Sequence, residues 1–146
     1  MVHQHMAEFF ERDLLKLKEE IGLYNDENSM WLVKEGISNS GGNLCLHLIG
    51  NLNHFIGATL GGTGYVRQRD LEFLQKNIPR SQLLREIDAV IIVVKETLHK
   101  LPAADYEKPF PLLKHEQEVS TGHMLLHLFS HLSYHLGQIN YHRRLL

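Results

Sequence analysis

In the stretch HMLLHLFSHLSYHLGQINYH, four histidines (His123, His127, His131 and His135) recur at every fourth residue. On an α-helix, side chains at i and i+4 stack on one face about one turn apart. Two imidazoles placed this way can hold one metal ion if a third ligand arrives from another segment. A second apolar stretch, LCLHLIGNLNHFIG, offers His47 and His54 for that role. Three neutral imidazoles leave positions for water or substrate, as in a catalytic rather than a closed structural site.

The ladder cannot act as one unit. Each i+4 step drifts by about 40°, so His123 and His135 stand about 120° apart around the helix. Three pairs therefore compete: His123/His127, His127/His131 and His131/His135. Gly137, Gln138 and Tyr141 follow the last pair, where the glycine lets another backbone approach and the amide or phenol can fix a ligand's tautomer. His123 lies only a few residues into the helix and is expected to face a loop or solvent. His142 is about 10 Å beyond His135 along the axis, too far to share an ion. A lone histidine on an apolar helix face is more often a satisfied core residue than a ligand. His47, however, is flanked by Leu46 and Leu48, so an unpaired imidazole there carries a desolvation cost. His54, two turns on along nearly the same stripe, is the alternate third ligand. His3 and His5 are expected at the surface.

These side chains need helices to position them, and four helical patterns cover most of the chain. The first runs from His5 to Tyr24, with Phe9, Leu14, Leu17 and Ile21 on one stripe. YNDENSMWLV then reads as a turn with Trp31 as a buried anchor. SNSGGN is a loop whose Ser and Asn oxygens can cap the next helix. That second helix spans about Asn43 to Leu60 and ends at GGTG. YVRQRDLEFLQKNIP reads as a connection with one short helical turn. The third helix starts near Ser81 and continues through Ile87, Val90, Ile91, Val94 and Leu98. LPAADYEKPFPLL is a long polar loop holding three of the four prolines. The fourth helix fills Ser120 to about Arg144. The expectation is an all-α single domain over residues 1–146, a four-helix bundle with two long connections.

Composition narrows the function. At 43% hydrophobic and 22% charged residues, the chain is an ordinary globular protein rather than a disordered or fibrous one. A net charge of −2 and the lack of a Lys/Arg block argue against a nucleic-acid partner. The single Cys45 excludes an intrachain disulfide and fits a reducing cytoplasm. No basic-then-apolar signal opens the chain and no apolar run approaches a membrane span, so a cytoplasmic location with no membrane partner is expected. The eleven histidines are the one compositional anomaly.

LCLHLIGN, then RQRDLEF, then HLFSHLSYHLGQINYHRRLL together resemble the DinB-like superfamily of small metal-binding four-helix bundles. The resemblance spans almost the full chain, and its most specific part is HxxxHxGQI preceded about 80 residues earlier by L-x-H-L-x-G-N. It implies His47, His131 and His135 as metal ligands, an up-down-down-up bundle, a divalent metal (nickel or zinc) and a homodimer. A weaker argument for the dimer is that the Leu-rich faces exceed what four such helices bury. Leu136 stands where many relatives carry arginine. Characterised branches include thiol S-transferases and thiol-dependent isomerases that use low-molecular-weight thiols.

Tyr65, Arg67 and Arg69 follow the second helix, and Arg67 and Arg69 are candidates to clamp an anionic thiol or a substrate carboxylate. The competing and simpler reading pairs both arginines with Asp70, Glu72 or neighbouring helices. Cys45 points to a different side of the helix from His47 and is read as packing. The leading expectation is a metal-dependent thiol transferase acting on a small electrophile. The alternatives are a non-catalytic metal-binding or stress-response module and a metal-dependent hydrolase.

Overall fold

Each long apolar stripe folds into an α-helix, because side chains at i, i+3, i+4 and i+7 bury together only at that period. The computed structural model describes residues 1–146 and is all-α, with no strand. Its five α-helices are α1 (Met6–Leu23), α2 (Gly41–Leu52), α3 (Arg69–Leu74), α4 (Arg80–Lys100) and α5 (Thr121–Leu145). Short 3₁₀ turns fill parts of the connections.

Ser40 caps α2 by accepting the Asn43 amide, as the SNSGGN reading expects. Gly42 lets that first turn press on Trp31, whose ring carbons lie 2.7 Å from where a Cβ would stand. After Leu52 the helix widens into a π segment, Asn53–Ala58. There Thr59 N–H reaches back to His54 O and Gly61 N–H to Ile56 O, at 3.1 and 2.9 Å. Ser120 caps α5 through the His123 amide. The fourth expected helix is therefore α5, and the short turn expected in RQRDLEF is α3.

The third expected helix is α4, which begins at Arg80 behind Pro79, one residue from the expected start near Ser81. Two expectations need correction. The α1 stripe is Phe10, Leu14, Leu17 and Ile21, all fully buried, while Phe9 is 39% exposed. Spacings of four, three and four fit one helical face, whereas a step of five from Phe9 to Leu14 does not. Secondly, the 101–113 connection is not a purely polar loop. Tyr106 and Phe110 are buried in the core, and Phe110 N–H bonds Val119 O at 2.8 Å.

Polar cross-links fix how the helices run. Lys18 pairs with Asp88 and Lys95 with Glu11, so α1 and α4 are antiparallel. Ser133 donates to Asp13, and Asn140 and Arg143 donate to Glu20, so α1 and α5 run the same way. Gly41 lies against His142 while His47 faces His131, so α2 and α5 are antiparallel. Leu48, Leu52, Leu83, Ile87, Val90, Val94, Leu125, Leu128 and Leu132 fill the space between these helices. Full burial of such a side chain stabilises the fold by about 1.5–3 kcal/mol. No helix is long and apolar enough to cross a membrane.

Candidate metal centre

The antiparallel pass of α2 over α5 brings His47, His131 and His135 together, and no other group of three potential ligands forms in the chain. His131 Nε2 lies 3.1 Å from Nε2 of His47 and 3.1 Å from Nε2 of His135. Nitrogens about 2.0–2.1 Å from one ion stand about 2.9–3.4 Å apart for bond angles between octahedral and tetrahedral. Both of these separations fall inside that range, and all three ligand atoms lie within 4.8 Å of one another. The three rings meet edge to face, so their lone pairs converge rather than stack.

The remaining ring nitrogens explain why the lone pairs point inward. Glu72, on α3, is 6% exposed, and its Oε1 lies 3.0 Å from His47 Nδ1. Burial pushes the Glu72 carboxyl upward, but hydrogen bonds from His47 and Arg67 and the Arg67 charge outweigh it and hold the carboxyl below its usual range. An ionised carboxylate only accepts, so His47 donates to it from Nδ1 and turns its Nε2 toward the other two rings. Gln138 Oε1, 2.7 Å from His135 Nδ1, accepts from that ring in the same way. His131 Nδ1 is buried and bonds nothing in the protein. Burial, and then the nearby His135, His47, His127 and Arg67, push the His131 imidazole down to about 4. The ring is thus neutral, the form in which it can donate a lone pair to a metal. The donor set, its tautomers and its spacing fit a divalent transition-metal ion.

Arg67 and Arg69 take different positions. Arg67 grips Glu72 through Nε to Oε2 and Nη2 to Oε1, both at 2.9 Å, and lies over Phe55. Arg69 is exposed and covers the Phe73 ring, which itself lies 4.8 Å from the His47 ring. The pairing of Arg67 with Glu72 follows the simpler of the two readings of that arginine. The spacing along the chain does not signal Glu72 as the partner of His47, since it comes from a different helix 25 residues away. Gly50 permits the arrangement, since a Cβ there would fall 1.9 Å from Glu72 Oε2.

The other histidines fall outside the cluster. His123 and His127 are exposed on α5, and His54 is half-buried with its ring 4.6 Å from the Phe55 ring. His5 is exposed, whereas His3 is half-buried against Tyr106, which departs from the surface position expected of it. His142 is a satisfied core residue: its Nε2–H donates to Leu32 O at 2.8 Å and its Nδ1 accepts from Tyr24 Oη–H at 2.6 Å. Cys45 is fully buried, and burial pushes its thiol well above the ordinary range. Beside the centre a cleft of ≈ 690 Å³ opens between the 34–39 loop and the end of α5, with His135, Gln138, Leu44 and Lys34 among its walls.

A family model described as "Protein of unknown function (DUF1572)" matches residues 4–146. No curated protein matches the chain, and no solved structure does.

Proposed function

The chain belongs to the DUF1572 family, and we propose that it is a divalent-metal-dependent enzyme of DinB-like type that transfers a small thiol to an electrophile. The observation that carries this reading is the convergence of three imidazoles, with His131 Nε2 at 3.1 Å from the Nε2 atoms of both His47 and His135 and with Glu72 and Gln138 directing two of the rings. The pairwise helix directions support the up-down-down-up bundle, with α1 and α5 running one way and α2 and α4 the other.

His47, His131 and His135 hold the ion, and an all-imidazole set suits zinc or nickel. A divalent ion there supplies Lewis acidity that lowers the pKa of a bound thiol. The protein's own residues do the rest. Glu72 and Gln138 keep the His47 and His135 lone pairs aimed at one point. Phe73 covers one side of His47 and limits water access from α3. Arg67 keeps its Nη1 free of any protein hydrogen bond, and with the exposed Arg69 it meets the carboxylate of an anionic thiol. The cleft beside His135 receives the small electrophile, with apolar walls at Ile37, Leu44 and Leu145. The reading includes a cytoplasmic homodimer, with exposed Leu126, Tyr134 and Tyr141 on α5 available for contact.

Elemental analysis of tag-free protein and of His131→Ala tests the centre. The expected result is about one transition-metal ion per chain, absent from the variant. Thiol-dependent loss of an electrophile such as 1-chloro-2,4-dinitrobenzene, present in the loaded protein and abolished in the variant, completes it. Metal-independent turnover, or no metal uptake after loading with Zn²⁺ or Ni²⁺, overturns it. Ester hydrolysis without a thiol requirement transfers the reading to a metal-dependent hydrolase.

A further inference from the structure

Two of the three ligating rings have a built acceptor for the proton on Nδ1: Glu72 for His47 and Gln138 for His135. His131 has none, and its Nδ1 is one of only four buried side-chain nitrogens or oxygens in the chain without a partner. A second member of that set is Asn51 Oδ1. Asn51 is 7% exposed and lies one turn beyond His47 on the same face of α2. Because α2 and α5 are antiparallel, that extra turn moves toward the His131 end of the ligand pair and away from the His135 end. The two atoms are also chemically complementary. With its Nε2 bound to an ion, His131 must carry a proton on Nδ1, while an amide oxygen can only accept.

We propose that Asn51 is the positioning residue for His131, taking the Nδ1–H on its side-chain oxygen directly or through one water when the ion is bound. This inference rests on the metal-centre reading above. The assignment gives each ligand its own acceptor, drawn from three different elements: α3, α5 and α2. It also gives a reason for an unpaired amide oxygen in an otherwise apolar stretch of α2, where burial without a partner is unfavourable. Asn51 touches no reacting atom in this scheme. It sets ring orientation and the basicity of the lone pair.

The test uses ¹⁵N-labelled full-length protein loaded with Zn²⁺, with imidazole protons observed by long-range ¹H–¹⁵N NMR and Zn²⁺ affinity by chelator competition. Wild type is expected to show a slowly exchanging His131 Nδ1–H. Asn51→Leu loses that slow exchange and binds Zn²⁺ about tenfold more weakly, the lower end for loss of a ligand's outer partner. Asn51→Asp, which keeps an acceptor, retains the protected proton and an affinity at or above wild type. Equal losses in both variants signal a packing role and overturn the inference, as does an unchanged proton and affinity in Asn51→Leu. If Asn51→Leu does not fold, a drop in affinity for Asn51→Asp is decisive by itself against the proposal. Failure of wild type to bind Zn²⁺ at all refutes the metal-centre reading first and this inference with it, an outcome separate from normal wild-type binding with silent variants.

Discussion

Gly50→Ala places one methyl group where the Glu72 carboxylate sits. The added Cβ would lie 1.9 Å from Glu72 Oε2 and 2.6 Å from its Cδ, far inside van der Waals contact. Glu72 is pinned by Arg67 and His47 and is 6% exposed, so the carboxylate must leave both partners to make room. Two effects then oppose each other in the metal-free protein. Alanine favours the helix by about 1 kcal/mol over glycine. Separating a buried, hydrogen-bonded pair costs about 3–5 kcal/mol when a partner is stranded. The net destabilisation is about 2–4 kcal/mol, which lowers the melting temperature by roughly 5–15 °C for a domain of this size. Metal affinity falls as well, because His47 loses the acceptor that fixes its tautomer, and the expected loss is about 10- to 100-fold. Thermal melts of the metal-free protein and Zn²⁺ competition against a chromogenic chelator read the two effects separately. Wild-type affinity in a folded Gly50→Ala protein would refute the argument that Glu72 orients His47.

Two further outcomes follow from the same geometry. Burial, and then the neighbouring histidines and Arg67, depress His131 to about 4 from an ordinary value of 6.5, so the unfolded chain binds a proton that the folded chain refuses. Stability of the metal-free protein therefore declines as pH falls from 6.5 toward 4, a decline that flattens in His131→Phe when melts are followed across that range. Tyr24→Phe removes the donor to His142 Nδ1 and leaves that buried nitrogen bare. A destabilisation of about 1–3 kcal/mol in urea denaturation is expected, with Zn²⁺ binding unchanged.

The ligand triad was accessible to sequence reasoning because spacing on a helix is a geometric statement: His131 and His135 share a face whatever else the chain does. Helix geometry alone left His47 and His54 as alternatives on nearly one stripe; the family resemblance favoured His47, and the crossing of α2 over α5 sets it beside His131. Gln138 was readable for the same local reason, lying three residues from His135. Glu72 was not, because it comes from a different helix 25 residues away, and no pattern along the chain links it to His47. The inward residue of the Phe9–Phe10 pair also eluded the stripe reading. Both aromatics are within one step of the face, and Phe9 finds its own contacts with Phe129 and the Arg12 guanidinium at the edge. His142 looked merely too remote to ligate, whereas its real role depends on Tyr24 and on the backbone of Leu32, two partners more than 100 residues distant.

The π segment at the end of α2 acts as a phase adjuster between two neighbours. Upstream of it, His47 is keyed to His131 of α5. At its end and just beyond it, the bare surfaces of Gly57 and Gly61 lie against Val93 and Thr97 of α4. One residue of an α-helix is worth about 100° of rotation, so a turn that holds an extra residue lets the two halves of a single rod be aligned independently. A chain one residue shorter between Asn53 and Ala58 would close an ordinary turn there. It would keep its histidine aimed at α5 while swinging both glycines off α4, so the length of this short segment governs the packing against α4 separately from the packing against α5.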